Sequence, residues 1–138
     1  MTTDAKPHKA LHIILWILQV LLAAMFLMAG FMKLTAPVDK LSEMMPWVND
    51  FSETAVRLIG LSELLGGIGL VLPALLRIQP GLTPLAALGI ALIMVLAAVY
   101  HISKGETKVI GINVVIAAVA LFIAWGRYGR AAIRPKKS

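Results

Sequence analysis

The stretch from Gly60 to Pro73, GLSELLGGIGLVLP, is apolar and rich in small residues, with a single carboxylate at Glu63. It sits inside a longer run, Leu58 to Leu76, bounded by Arg57 and Arg77 and otherwise uncharged. At about 1.5 Å per helical residue, such a run reaches across most of the roughly 30 Å hydrocarbon core of a bilayer. A carboxylate within that core costs at least about 2.5 kcal/mol, so Glu63 needs either a partner or a task.

Three further runs have the same character: Ala10 to Met32, about Leu82 to Ser103, and Val109 to Gly126. Lipid offers no partners to the backbone, so helices are the structures that satisfy it, and no alternating ten-residue strands suggest a barrel. The chain is 59% hydrophobic and 14% charged, against about 45–50% and 25% in average globular proteins, so a soluble domain is excluded. The first run is longer than the apolar region of about 7–15 residues in a signal peptide and reads as a retained helix.

The fold expected is all-α: an integral membrane four-helix bundle, up-down-up-down, with helices over about 10–34, 56–77, 82–103 and 109–126. Residues 1–9 form a tail, 10–127 the membrane domain and 128–138 a basic tail. Between the first two helices, Thr35 to Thr54 mixes Asp39, Glu43, Asp50 and Glu53 with Leu41, Met44, Met45, Trp47, Val48 and Phe51. That mixture predicts an amphipathic interfacial element, broken near Pro46.

Charge placement sets the orientation. Lys6, Lys9, Arg77, Arg127, Arg130, Arg134, Lys136 and Lys137 fall on one side, facing Lys33, Lys40, Arg57, Lys104 and Lys108 with most of the acids on the other. The bias predicts an inner (cytoplasmic) membrane protein with both termini cytoplasmic. Trp125 and Tyr128 then suit the inner aromatic belt, and Trp47 and Tyr100 the outer one. The net charge of +6 belongs to membrane anchoring and contact with lipid headgroups, not to nucleic acid.

Depths follow from the helical rise: Glu63 about 6 Å outward of its helix centre, Asn113 about 7 Å, His101 about 13 Å and Lys33 about 16 Å. Each helix contributes one of them to the outer half. Lys33 reads as a snorkelling anchor or as a partner of Glu63, and Asn113 as interhelical glue or as a donor to a ligand. A carboxylate, a histidine and an amide facing one cavity suit the polar head of a quinone or another amphiphile, and no other cofactor is indicated. The candidate ligand-binding residues are therefore Glu63, His101, Asn113, Lys33, Trp47 and Tyr100.

Other chemistry is excluded or weak. The absence of cysteine removes thiolate catalysis and disulfides. His8 and His12 lack a neighbouring carboxylate and make no metal site. Met25, Met28 and Met32 form a helical stripe that reads as core packing, not a copper ladder. Gly60, Gly66, Gly67 and Gly69 suit close helix contact, and Pro73 predicts a kink or a freed carbonyl.

Four elements in order resemble the DoxX-like family of membrane proteins across about residues 11–127. They are AGFMKL at Ala29–Leu34, the GLSELLGGIGLVLP stretch with its G-x-x-E-x-x-G-x-x-x-L-x-x-P pattern, His101 closing the third helix, and Asn113 followed by Gly126-Arg127 on the fourth. The resemblance implies a four-helix membrane fold and carries over Lys33, Glu63, His101 and Asn113. The family takes its name from a subunit associated with an archaeal thiosulfate:quinone oxidoreductase. The function expected, from the convergent carboxylate, histidine, amide and lysine, is an accessory protein that binds a lipophilic, quinone-like ligand for a membrane redox partner, and not an enzyme by itself, since the chain has neither thiol nor evident cofactor site. Two alternatives stand beside it: a scaffold or assembly factor with a structural Lys–Glu pair, and a small proton-coupled transporter. Glycine-rich helix faces also permit a homo-oligomer.

Overall fold

The computed structural model describes residues 9–136 and is helical throughout. Four long helices, α1 (Lys9–Thr35), α3 (Glu53–Leu76), α4 (Leu82–Ser103) and α5 (Ile110–Tyr128), are long and apolar enough to cross a membrane. Between the first two, α2 (Val38–Met44) and a 3-10 turn (Pro46–Asp50) form the interfacial element. Helix α1 packs on α3, α3 on α4 and α4 on α5, and α5 closes the ring on α1.

Local chemistry sets the helix ends. Ala36 precedes Pro37, which disfavours helical backbone there, and α1 stops at Thr35. Pro46 likewise ends α2, at the break expected. Ser52 caps α3 by accepting the Ala55 amide at 3.1 Å, so this helix begins three residues earlier than hydropathy alone indicates. It ends at Arg77 in the left-handed conformation (φ 57°). Pro84 falls in the first turn of α4, where a missing N–H is harmless.

The bundle is apolar outside and selectively polar within. Leu15, Leu22, Phe26, Leu70, Ile90 and Ile123 fill its centre, alongside buried Gln19, Lys33, Glu63, Thr83, Asn113 and Arg127. Large side chains such as Leu21, Leu65, Leu92 and Val115 point outward, as lipid-facing positions require. Met25 and Met28 belong to that outer surface, which corrects the expectation of core packing. The stripe lies on the side of α1 opposite Leu22, Phe26, Gly30 and Lys33, and a helix that is apolar all round gives hydropathy no means of telling the two faces apart.

Pro73 does free a carbonyl, and α4 takes it up. Without an N–H at Pro73, Gly69 O has no helical donor, and Thr83 Oγ1 donates to it at 3.0 Å.

Candidate functional site

Helices α1 and α3 meet at glycines, and that contact builds a polar site at the end of the bundle away from the chain termini. A Cβ on Gly30 would lie 2.6 Å from Gly60 O and Leu64 N, while one on Gly60 would lie 2.7 Å from the Lys33 Cβ. Backbones this close bring the stem of Lys33 directly over α3. Its Nζ reaches Glu63 Oε1 at 2.8 Å, with the residues only 6% and 7% exposed. The axial gap is shorter than the roughly 10 Å expected from helical rise, because Lys33 packs on Gly60, three residues or about 4.5 Å along α3 from Glu63. Among the described residues Glu63 Oε2 accepts no hydrogen bond.

The interfacial element covers this pair. The Trp47 ring lies 5.8 Å from Lys33 Nζ, and Leu41, Val48 and Val56 pack beneath it as a small core of their own. Arg57, one turn before Gly60, donates to the carbonyls of Lys33 (2.8 Å) and Ala36 (2.7 Å). It thereby satisfies the open C-terminal end of α1 and pins it to α3. The sequence presents Arg57 only as a boundary residue, and nothing local identifies this role.

Tyr100 and His101 serve the rim at this end of the bundle. The Tyr100 hydroxyl donates to Asp50 Oδ2, with Lys104 Nζ 3.5 Å from the same carboxylate. Phe51 lies between Trp47 and Tyr100, edge-on to the first and tilted to the second, at ring separations of 5.7 and 5.5 Å. The hydrogen bond from Tyr100 holds the Asp50 carboxyl below the usual carboxylate range, with Lys104 adding to the effect. His101 Nδ1 pairs with Glu106 Oε1 at 2.8 Å across the α4–α5 turn, so its hydrogen-bond partner is neither Glu63 nor Asn113.

Asn113 is buried on α5, and among the described residues its Nδ2 has no hydrogen-bond partner. A buried amide donor without an acceptor is uncommon and costs about 1–3 kcal/mol. Of the six expected residues, then, Lys33, Glu63 and Trp47 come together. Tyr100 joins them through Phe51, and the His101 ring packs edge-on against Tyr100 at 5.2 Å, while among the described residues the Asn113 amide is hydrogen-bonded to none of them. Among the described residues no cluster of His, Cys, Asp or Glu is suited to a metal.

A second polar cluster lies at the other end of the bundle. Gln19 Nε2 donates to Leu70 O at 2.6 Å, and Gln19 Oε1 accepts from Arg127 Nε at 2.5 Å. Arg127 Nη1 lies 2.9 Å from His12 Nδ1 and donates to Ala131 O at 2.8 Å. A guanidinium only donates, so His12 Nδ1 is the acceptor and the ring is neutral. Arg127, counted from the sequence among the basic anchors at the membrane face, is buried, at 4% exposed. The one sequence signal for this cluster is Gln19, a polar residue in the middle of the first apolar run.

No curated protein and no solved structure matches the chain. A family model described as the DoxX-like family matches residues 17–123, which takes in the α1–α3 crossing, the Lys33–Glu63 pair, His101 and Asn113. The chain is thus a multi-pass membrane protein that belongs to the DoxX-like family.

Proposed function

We propose that this protein is an accessory inner-membrane subunit that binds a small lipophilic, quinone-like ligand in the outer half of the bundle and serves a membrane redox partner. The observation that carries the reading is the buried Asn113 amide, which lacks an acceptor among the described residues. A ligand carbonyl supplies one. Trp47 and Tyr100 present aromatic surface on the same outer side. The orientation, with both termini cytoplasmic, rests on the excess of basic residues at the end that carries them.

The test is to purify the protein in mild detergent, extract the bound lipids and add ubiquinone or menaquinone. Enrichment of a quinone in the extract and a raised melting temperature are expected, both lost in Asn113→Leu. No enriched quinone or other amphiphile, together with unchanged melting on quinone addition, overturns the reading.

A second reading, a scaffold acting through helix contacts, is favoured by the ion pair itself. Lys33 and Glu63 are closed on each other at 2.8 Å, an arrangement complete without a ligand. It requires that Glu63→Gln combined with Lys33→Met restore folding and complex assembly together.

A further inference from the structure

Among the described residues, the buried Arg127 guanidinium has only neutral partners: Gln19, His12 and the Ala131 carbonyl. Its Nη2 reaches, among the same residues, the His12 carbonyl at the long distance of 3.4 Å. Among the described residues this end of the bundle holds no Asp or Glu, while Lys9, Arg77, Arg130, Arg134 and Lys136 gather there. A desolvated guanidinium surrounded by like charges and dipoles is costly unless an anion completes the site.

The fold provides room for that anion. Arg127 lines a cavity of about 380 Å³, walled by Gln79, Gly81 and Pro84 on one side and by Tyr128 and Ile133 on the other. The positive end of the α4 dipole lies at this wall. Two chain segments are fastened to each other around it. Arg77 Nε donates to Arg134 O at 3.0 Å, and Lys136 N donates to Arg77 O at 2.7 Å. The turn between them holds Arg77 and Gln79 at positive φ (57° and 50°), a conformation kept only where the surroundings enforce it. Ile78 and Leu82, beside the cavity, are exposed at the level where the spans end.

We propose that this cavity binds the phosphate of an acidic phospholipid headgroup, with Arg127 as its counter-cation and Ile78 and Leu82 against the acyl chains. Basic pockets between spans at the basic face of a membrane protein suit such headgroups. The apolar flank favours a lipid over a free phosphate ion. The site lies at the opposite end from Asn113 and stands or falls independently of the quinone-like ligand.

The test compares phosphatidylglycerol, phosphatidylcholine and inorganic phosphate, each added to detergent-purified protein. The readouts are native mass spectrometry and the melting curve by tryptophan fluorescence, to which Trp16, 5.5 Å from the guanidinium, contributes. Retention of phosphatidylglycerol over phosphatidylcholine by about tenfold is expected, because a net negative headgroup neutralises the buried Arg127 charge, whereas the trimethylammonium of phosphatidylcholine already neutralises its own phosphate. Arg127→Gln should abolish the preference. Gly81→Phe, at a position where an added Cβ meets nothing within 4 Å, should weaken it by filling the cavity with Arg127 intact. If Arg127→Gln does not fold, Gly81→Phe decides alone. Equal retention of the two lipids, a preference that survives in folded Arg127→Gln, or one that is undiminished in Gly81→Phe, overturns the proposal. So does inorganic phosphate that raises the melting temperature as far as phosphatidylglycerol does.

Discussion

Lys33 Nζ and Glu63 Oε1 lie 2.8 Å apart between α1 and α3, both buried, beneath the ring of Trp47. Two charges that hydrocarbon would reject singly are accommodated because each neutralises the other. Removing one partner leaves the other buried and uncompensated. Glu63→Gln or Lys33→Met alone should therefore lower stability by about 3–5 kcal/mol, while the double variant should recover most of the loss. A double-mutant cycle on detergent-solubilised protein measures this. Additive losses would mean that the pair is not coupled.

The glycine crossing that places the lysine gives a second prediction. Gly30→Ala and Gly60→Ala each put a Cβ within 2.7 Å of atoms on the facing helix. Either should push α1 from α3 and cost about 1–3 kcal/mol. Gly89→Ala, on α4 with nothing within 4 Å of the added carbon, is the control. It should be neutral or slightly stabilising, because alanine is the better helix former. Thermal melts of the three variants side by side would separate a crowding effect from a general intolerance of alanine.

Thr83 is expected to matter more than a buried threonine usually does. Its hydroxyl satisfies the Gly69 carbonyl that Pro73 leaves open. Thr83→Val keeps the shape but strands that carbonyl, at a cost of about 1–3 kcal/mol. In Thr83→Val combined with Pro73→Ala the helix can supply its own donor, so the loss should shrink. If the single variant melts like wild type, the hydrogen bond contributes nothing.

The rim around Asp50 and Tyr100 should respond to acid. Asp50 titrates below its ordinary value of 3.8 because Tyr100 donates to its carboxylate. A carboxylate depressed by folding contributes stability that is present above its unfolded value and lost as pH falls through the folded one. Tyr100→Phe should therefore melt below wild type at pH 6, and the difference should fade below pH 3.8. The carboxylate is exposed, so the effect should be a shift of a few degrees at most and should weaken with salt. A wild-type advantage that persists unchanged into strong acid would assign it to aromatic packing with Phe51 instead.

Hydropathy and charge placement alone determined that this chain crosses a membrane four times, where the crossings lie, and that Glu63 required a partner. Those readings rest on local physics: backbone groups must pair within a helix in lipid, and a lone carboxylate there is expensive. Lys33 was in view as that partner because it ends the neighbouring span. Only the tertiary structure decided that the pair closes. The same is true of the outward methionine stripe, of His101 turning to Glu106, and of Arg127 burying itself against Gln19 and His12. A span that is apolar on every side does not reveal how it is rotated about its own axis. That rotation is fixed where glycines let two backbones touch and where freed carbonyls and buried charges find donors on another helix.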